Sequence, residues 1–181
     1  MNLLGATVVI GAWLLSAAAD PMASIRAYEI PGHGILELTV PTGWKEEVRR
    51  PVGRPPTITL VPVTGDSSKL LITPGWQTTS EQGFNTPPKI RELLERQGQG
   101  LIGSAIEERL VLEELRGPYS VGYFYSLTDK APKPGEYAYM TQGAVGVGRL
   151  LVVFTFLFRE KHLPERQAGL EIIRTARHKL K

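Results

Sequence analysis

The chain has 181 residues and no cysteine. That excludes a disulfide framework, a thiol nucleophile, thiolate-bound zinc or iron–sulfur clusters, and lipid attachment at a signal-peptide cysteine. Histidine is scarce too: His33, His162 and His178 are the three present. None has a second histidine at the short spacing a zinc site uses. His33 lies in Pro31-Gly32-His33-Gly34, a hairpin-like turn where a solvated side chain is expected. His162 falls in a charged loop and His178 on the basic end of a C-terminal helix. A Ser–His–Asp triad would have to recruit one of them, and no Gly-x-Ser-x-Gly elbow accompanies them. No catalytic residue, metal ligand or cofactor is therefore assigned.

Charge of one sign is also in short supply. The formal net charge is +3, and Arg49-Arg50 is the only adjacent basic pair outside the C-terminal tail. Nucleic-acid binding wants a clustered basic face with stacking aromatics, so it is not expected. A membrane-spanning apolar run of about 20 residues is missing as well. What stands in its place is shorter: Leu3 to Leu15 is almost wholly apolar, and Ala17, Ala18 and Ala19 precede Asp20. An apolar stretch of about 7–15 residues followed by small side chains is the pattern of a secretory signal. Residues 1–19 are read as a cleaved signal peptide, with cleavage between Ala19 and Asp20. An uncleaved anchor or a buried N-terminal element is the alternative. Residues 20–181 then form one domain, periplasmic or secreted, with no stable membrane insertion after cleavage. Apolar residues at 42% and charged residues at 22% suit a folded chain.

The first half reads as short strands broken by proline and glycine. Ile35 to Val40 alternates with a two-residue period, and Pro41-Thr42-Gly43 turns the chain into an extended piece from Trp44 to Val48. Thr57 to Val63 and Lys69 to Thr73 read as two more strands around the turn Gly65-Asp66-Ser67-Ser68. Pro62 lacks an N–H and points to a sheet edge or strand end. A helix follows, capped by Thr86, opened by Pro87 and Pro88, striped by Ile90, Leu93, Leu94 and Leu101, and frayed by Gly98 and Gly100.

The second half reads as an antiparallel meander: Leu110 to Leu115, Val121 to Leu127, Tyr137 to Val145 and Leu150 to Phe158. The last is apolar on both faces, which demands a central strand with cover above and below. Gly143 to Gly148 resembles a nucleotide loop only superficially, because a strand rather than a helix follows; a glycine hairpin is expected. Glu107-Glu108 and Glu113-Glu114 are sequence neighbours that diverge on a strand, and are expected at solvated edges. From Pro164 a closing helix is expected, with Ile172, Ile173, Ala176 and Leu180 on one stripe and Arg174, Arg177 and Lys179 at its negative end.

One group of residues stands out. Tyr119, Tyr123, Tyr125, Tyr137 and Tyr139 come from two segments expected to be neighbouring strands, joined by the polar loop Asp129 to Gly135. They serve either as cross-strand packing with hydroxyls reaching the surface or as an aromatic binding surface.

The element order carries a resemblance. A Pro-x-Gly-Trp turn (Pro41, Gly43, Trp44) follows an early strand, then a mid-chain helix, strands including Gly122-Tyr123-Phe124-Tyr125, and an amphipathic closing helix. From Ile30 onward the chain resembles the Mog1/PsbP-like superfamily, particularly its small exported bacterial members. The resemblance implies an α+β fold: an antiparallel sheet of six or seven strands with helices on both faces. Its members include a Ran-binding nuclear factor and an extrinsic photosystem II protein, so it implies docking to other proteins and supplies no catalytic motif. The expectation is an exported, non-catalytic interaction module whose partner is another envelope or secreted protein. The alternative is a small-molecule-binding protein or minor enzyme with a pocket near the tyrosines.

Overall fold

The computed structural model describes residues 22–65, 67–77, 83–161 and 163–180. The apolar leader, its expected cleavage point at Ala19–Asp20, Asp66 and His162 lie outside the described residues. Among the described residues ten strands and two α-helices follow one another. Strands β1 (Ala23–Ile30), β2 (Gly34–Pro41), β3 (Trp44–Arg49), β4 (Thr57–Pro62) and β5 (Ser68–Trp76) precede helix α1 (Pro87–Gln99). Then come β6 (Glu113–Arg116), β7 (Ser120–Thr128), β8 (Tyr139–Val147), β9 (Leu150–Phe158), helix α2 (Leu163–Arg174) and β10 (Arg177–Lys179).

The strands form a seven-stranded antiparallel sheet in the order β3-β4-β5-β9-β8-β7-β6, and a small sheet β1-β2-β10. β9 is the fourth of seven, as its two apolar faces require. On one face Leu150, Val152, Phe154, Phe156 and Phe158 are all buried, packed with Leu36 and Leu38 of the small sheet and Leu170, Ile172 and Ile173 of α2. On the other, Leu151 and Val153 pack against a second cluster built from Ile90 and Leu94 of α1, with Tyr125, Leu127 and Ala144. The two helices therefore cover opposite faces. The cover over the second face is incomplete: Leu151, Val153 and Leu157 are each only half-buried, and Leu157 lines a surface groove.

Several local expectations need correction. Thr86 occupies the N-cap position of α1, but its hydroxyl donates to the Gly83 carbonyl at 2.7 Å instead of capping the helix. Leu101 lies past the end of α1, 39% exposed, and not on its buried stripe. Gly98 does not fray the helix; it is buried against Leu110 and Tyr125, so close that a Cβ there would lie 2.5 Å from Leu110 Cδ1. In the glycine-rich segment only Gly148 makes the turn, at φ +57, while Gly143 and Gly146 lie inside β8. That strand begins at Tyr139, not Tyr137.

The largest correction is at the C-terminus. α2 ends at Arg174, because the Thr175 hydroxyl donates to the Ile172 carbonyl at 3.0 Å and accepts the Thr39 N–H at 3.2 Å. The chain then leaves the helical path and pairs as β10 with Ile35 to Glu37 of β2. Arg177 and Lys179 are strand residues, Lys179 bridging Glu37 at 2.7 Å, and Leu180 is exposed.

His178 is consequently not on a helix. The Arg149 N–H donates to its Nδ1 at 3.1 Å, which leaves Nε2–H to donate to the His33 carbonyl at 2.6 Å. Nor is His33 simply solvated: its ring stacks on Trp76 with centroids 4.3 Å apart. Strand β1 had no counterpart in the sequence reading. It is an outer strand whose Tyr28 and Ile30 face the core while Ile25 is 70% exposed, and its Tyr28 hydroxyl donates to Glu46 at 2.6 Å.

Candidate functional site

The terminal pair of the β7–β8 ladder, Thr128 opposite Tyr139, marks the end of the sheet where polar groups collect. Strand alternation sends Ser126, Thr128, Thr141 and Tyr139 to the α2 face, and Leu127 and Met140 to the α1 face. Two concavities result, one on each face, sharing this rim.

On the α2 face lies a cleft of about 190 Å³. Ser126 and Thr141, opposite each other in register, bond through their hydroxyls at 2.8 Å. Arg166, in the first turns of α2, reaches over them: Nε donates to Thr141 Oγ1 at 3.3 Å and Nη2 to Ser126 Oγ at 3.2 Å. Its guanidinium also covers the Phe124 ring at 5.5 Å and stands 3.4 Å from Glu113. Glu107 and Lys161 supply the other charges, and Phe158 with Tyr139 the apolar wall. Burial by itself would raise the Glu107 carboxyl. The Thr128 N–H at 2.7 Å and hydroxyl at 2.8 Å, with Lys161 nearby, outweigh it and hold Glu107 below the ordinary carboxylate value. Glu107 is thus not a solvated edge residue but a half-buried acceptor.

On the α1 face lies an apolar groove of about 210 Å³, bounded by Leu101, Ala105, Leu127, Tyr137, Met140 and Leu157. The loop 129–138 frames it and is laced down. Asp129 N–H donates to the Ala138 carbonyl at 2.8 Å, Lys130 N–H to Ser104 at 3.0 Å, and the Arg159 guanidinium to the Gly135 carbonyl. Its acids are engaged internally: Asp129 accepts from the Ala131 N–H and Glu136 from the Lys133 N–H. Its lysines are exposed.

The five tyrosines do not converge. Tyr119 sits in the turn before β7, at the strand's opposite end, 57% exposed beneath the Arg177 guanidinium at 4.9 Å. Tyr123 is half-buried on the α1 face beneath Arg91. Tyr125 is fully buried; its hydroxyl donates to Gln142 at 2.8 Å, and burial pushes its pKa up to about 12. Tyr137 and Tyr139 alone belong to the site. Tyr137 has Arg159 over its ring at 5.2 Å and Lys69 at 6.0 Å, and Tyr139 forms the rim between cleft and groove. Sequence reasoning missed Ser126, Thr141 and Arg166. The signal was there, because Ser126 and Thr128 interrupt a face of β7 that carries Phe124 in the core.

The solution structure of the cyanobacterial PsbP protein (CyanoP) from Synechocystis sp. PCC 6803 superposes over 97% of this chain and 99% of its own length. The TM-score is 0.51 and the identity 13%. The chain has the Mog1/PsbP-like fold. A crystal structure from Bacteroides thetaiotaomicron VPI-5482 aligns with 81% of the chain at 14% identity and TM-score 0.49, and the chain spans only 46% of that protein. No protein-family model matches the sequence, and no curated protein shows similarity to it. Among the described residues no helix is long and apolar enough to cross a membrane, and no three His, Asp or Glu side chains are grouped to hold a metal. The PsbP-like likeness is one of fold.

Proposed function

We propose that the protein is an exported, non-catalytic interaction module that docks another envelope or secreted protein at the β7–β8 end of its sheet. The observation that carries this reading is the apolar groove lined by Tyr137, an aromatic ring with two cations over it, Arg159 and Lys69. Aromatic anchors beside a fully desolvating pocket are what concentrate binding energy at interfaces. The surrounding charge specifies the occupant. Asp129 and Glu136 spend their carboxylates on the protein's own N–H groups, whereas the Lys133 side chain is exposed. The groove therefore suits a partner segment with an apolar side chain flanked by acids. The resemblance to docking proteins supports the same reading, and the apolar leader supports export.

A photo-crosslinking side chain placed at Ala138, with a control at Gly32 on the far end, tests this in the native host. A discrete adduct is expected from position 138, absent from position 32, weakened by added salt, and reduced several-fold by Tyr137→Ser without loss of melting temperature. Equal labelling from both positions, or none from 138, would overturn the docking surface.

A further inference from the structure

We infer that the cleft on the α2 face is a receptor for a small organic carboxylate with an apolar body, a role distinct from partner docking in the groove behind it. Ser126 and Thr141 have one hydroxyl hydrogen each, and their mutual bond consumes one of the two. Both oxygens already accept from Arg166, so the remaining hydroxyl hydrogen has no acceptor among the described residues.

Arg166 is under-committed as well. Its three contacts, to Thr141, Ser126 and Glu113, span 3.2–3.4 Å. A guanidinium settled on a carboxylate makes two parallel bonds of about 2.7–2.9 Å. Here it has neutral hydroxyls and one distant acid on an exposed rim, and its Nη1 takes no partner among the described residues. The negative wall is already matched, since Glu107 accepts twice from Thr128 and has Lys161 in electrostatic reach. What the cleft offers is a surplus of donors on one side and the rings of Phe158 and Tyr139 on the other.

A ligand that answers this is acceptor-rich at one end and apolar at the other. The volume of about 190 Å³ sets its size. A cavity of about 150 Å³ accommodates benzene, so a single ring bearing a carboxylate fits. One oxygen would take Arg166 and the other the spare hydroxyl hydrogen, with the ring against Phe158.

The test is a titration of the purified protein with sodium benzoate, followed by amide NMR, with benzamide as the uncharged isostere. Saturable shifts are expected at Ser126, Thr128, Tyr139 and Thr141, with a Kd on the order of 1 mM as befits a fragment. Benzamide should bind at least about tenfold more weakly, the difference a charge-assisted pair makes. Arg166→Gln should abolish the shifts. Should that variant fail to fold, Ser126→Ala combined with Thr141→Val, which keeps the guanidinium and removes the spare hydroxyl hydrogen, should weaken benzoate several-fold with an unchanged spectrum elsewhere. Equal binding of benzoate and benzamide, shifts confined to another surface, or no saturation by about 20 mM would overturn the inference. None of those results would alter crosslinking at Ala138, so the two proposals fail separately.

Discussion

At Glu107 a single carboxylate joins the segment after α1 to the end of β7, and its acidity is tied to that role. Its folded pKa lies below the ordinary value of about 4.3, because ionised Glu107 accepts two hydrogen bonds from Thr128. Lowering of the folded pKa means that the native state holds the proton less tightly than the unfolded chain. The stabilisation is therefore fully present above about pH 4.3 and is lost as pH falls through the folded value. Glu46 behaves in the same sense, lowered first by the Tyr28 hydroxyl and then by Arg26. In denaturant melts from neutral pH downward, wild-type stability should fall below about pH 4.3, and Glu107→Gln should fall less steeply while starting from a lower plateau. Parallel curves for the two proteins would show that the Thr128 bonds do not depend on the charge. The tyrosines divide by the same residue-level logic. Tyr125 is core because its ring faces α1 and Gln142 takes its hydroxyl, whereas Tyr137 precedes the strand and keeps its ring among cations.

Among the elements, β10 is the one whose state depends least on its own residues. Arg177, His178 and Lys179 have no apolar alternation, and nothing in them opposes a helix. They are extended because β2 offers an unpaired edge and because His178 spans two turns, bonding Arg149 of the β8–β9 turn and His33 of the β1–β2 turn. Replacing His178 by Ala should cost about 1–2 kcal/mol, the worth of two partly exposed hydrogen bonds. It should also speed hydrogen exchange in β10 and the adjoining β2 amides while leaving β9 protected. Uniform acceleration across the sheet would mean that the histidine supports the whole fold rather than this strap. Strands with a strong pattern were legible from sequence: β2, β4, β7 and β9 alternate or are doubly apolar, and each lies within a few residues of its expected place. β1 and β10 were not legible, because both are outer strands of a small sheet whose pairing is a tertiary fact. The candidate site was half legible. Tyr137 and Tyr139 could be named from sequence, but Arg166 comes from a helix 40 residues beyond Ser126, and only the fold brings the two together.

For the molecule as a whole, the sheet separates two cores of unequal size, and that inequality decides where damage spreads. The larger holds the buried face of β9, the small sheet and α2; the smaller is α1 with Tyr125, Leu127 and Ala144. Phe154 stands in the middle of the larger one, 1% exposed, with its ring above Gly143, where a Cβ would fall 2.5 Å from the ring's tip. No side chain at 143 can move in to fill space that the ring vacates. Phe154→Ala should therefore sit in the range of about 3–5 kcal/mol expected for deleting a buried ring, since the cavity between two sheets and a helix has little freedom to collapse. Leu94→Ala, in the smaller core under a single helix, should cost about 2–4 kcal/mol, because α1 can settle toward the sheet. The order of the two costs is the informative part. If urea melts give Leu94→Ala the larger loss, α1 rather than the β9 core is the clamp on the domain. The groove, walled by Leu101, Ser104 and Ala105 of the segment that follows α1, would then depend on how that helix is seated, and docking at Tyr137 should weaken in step with α1.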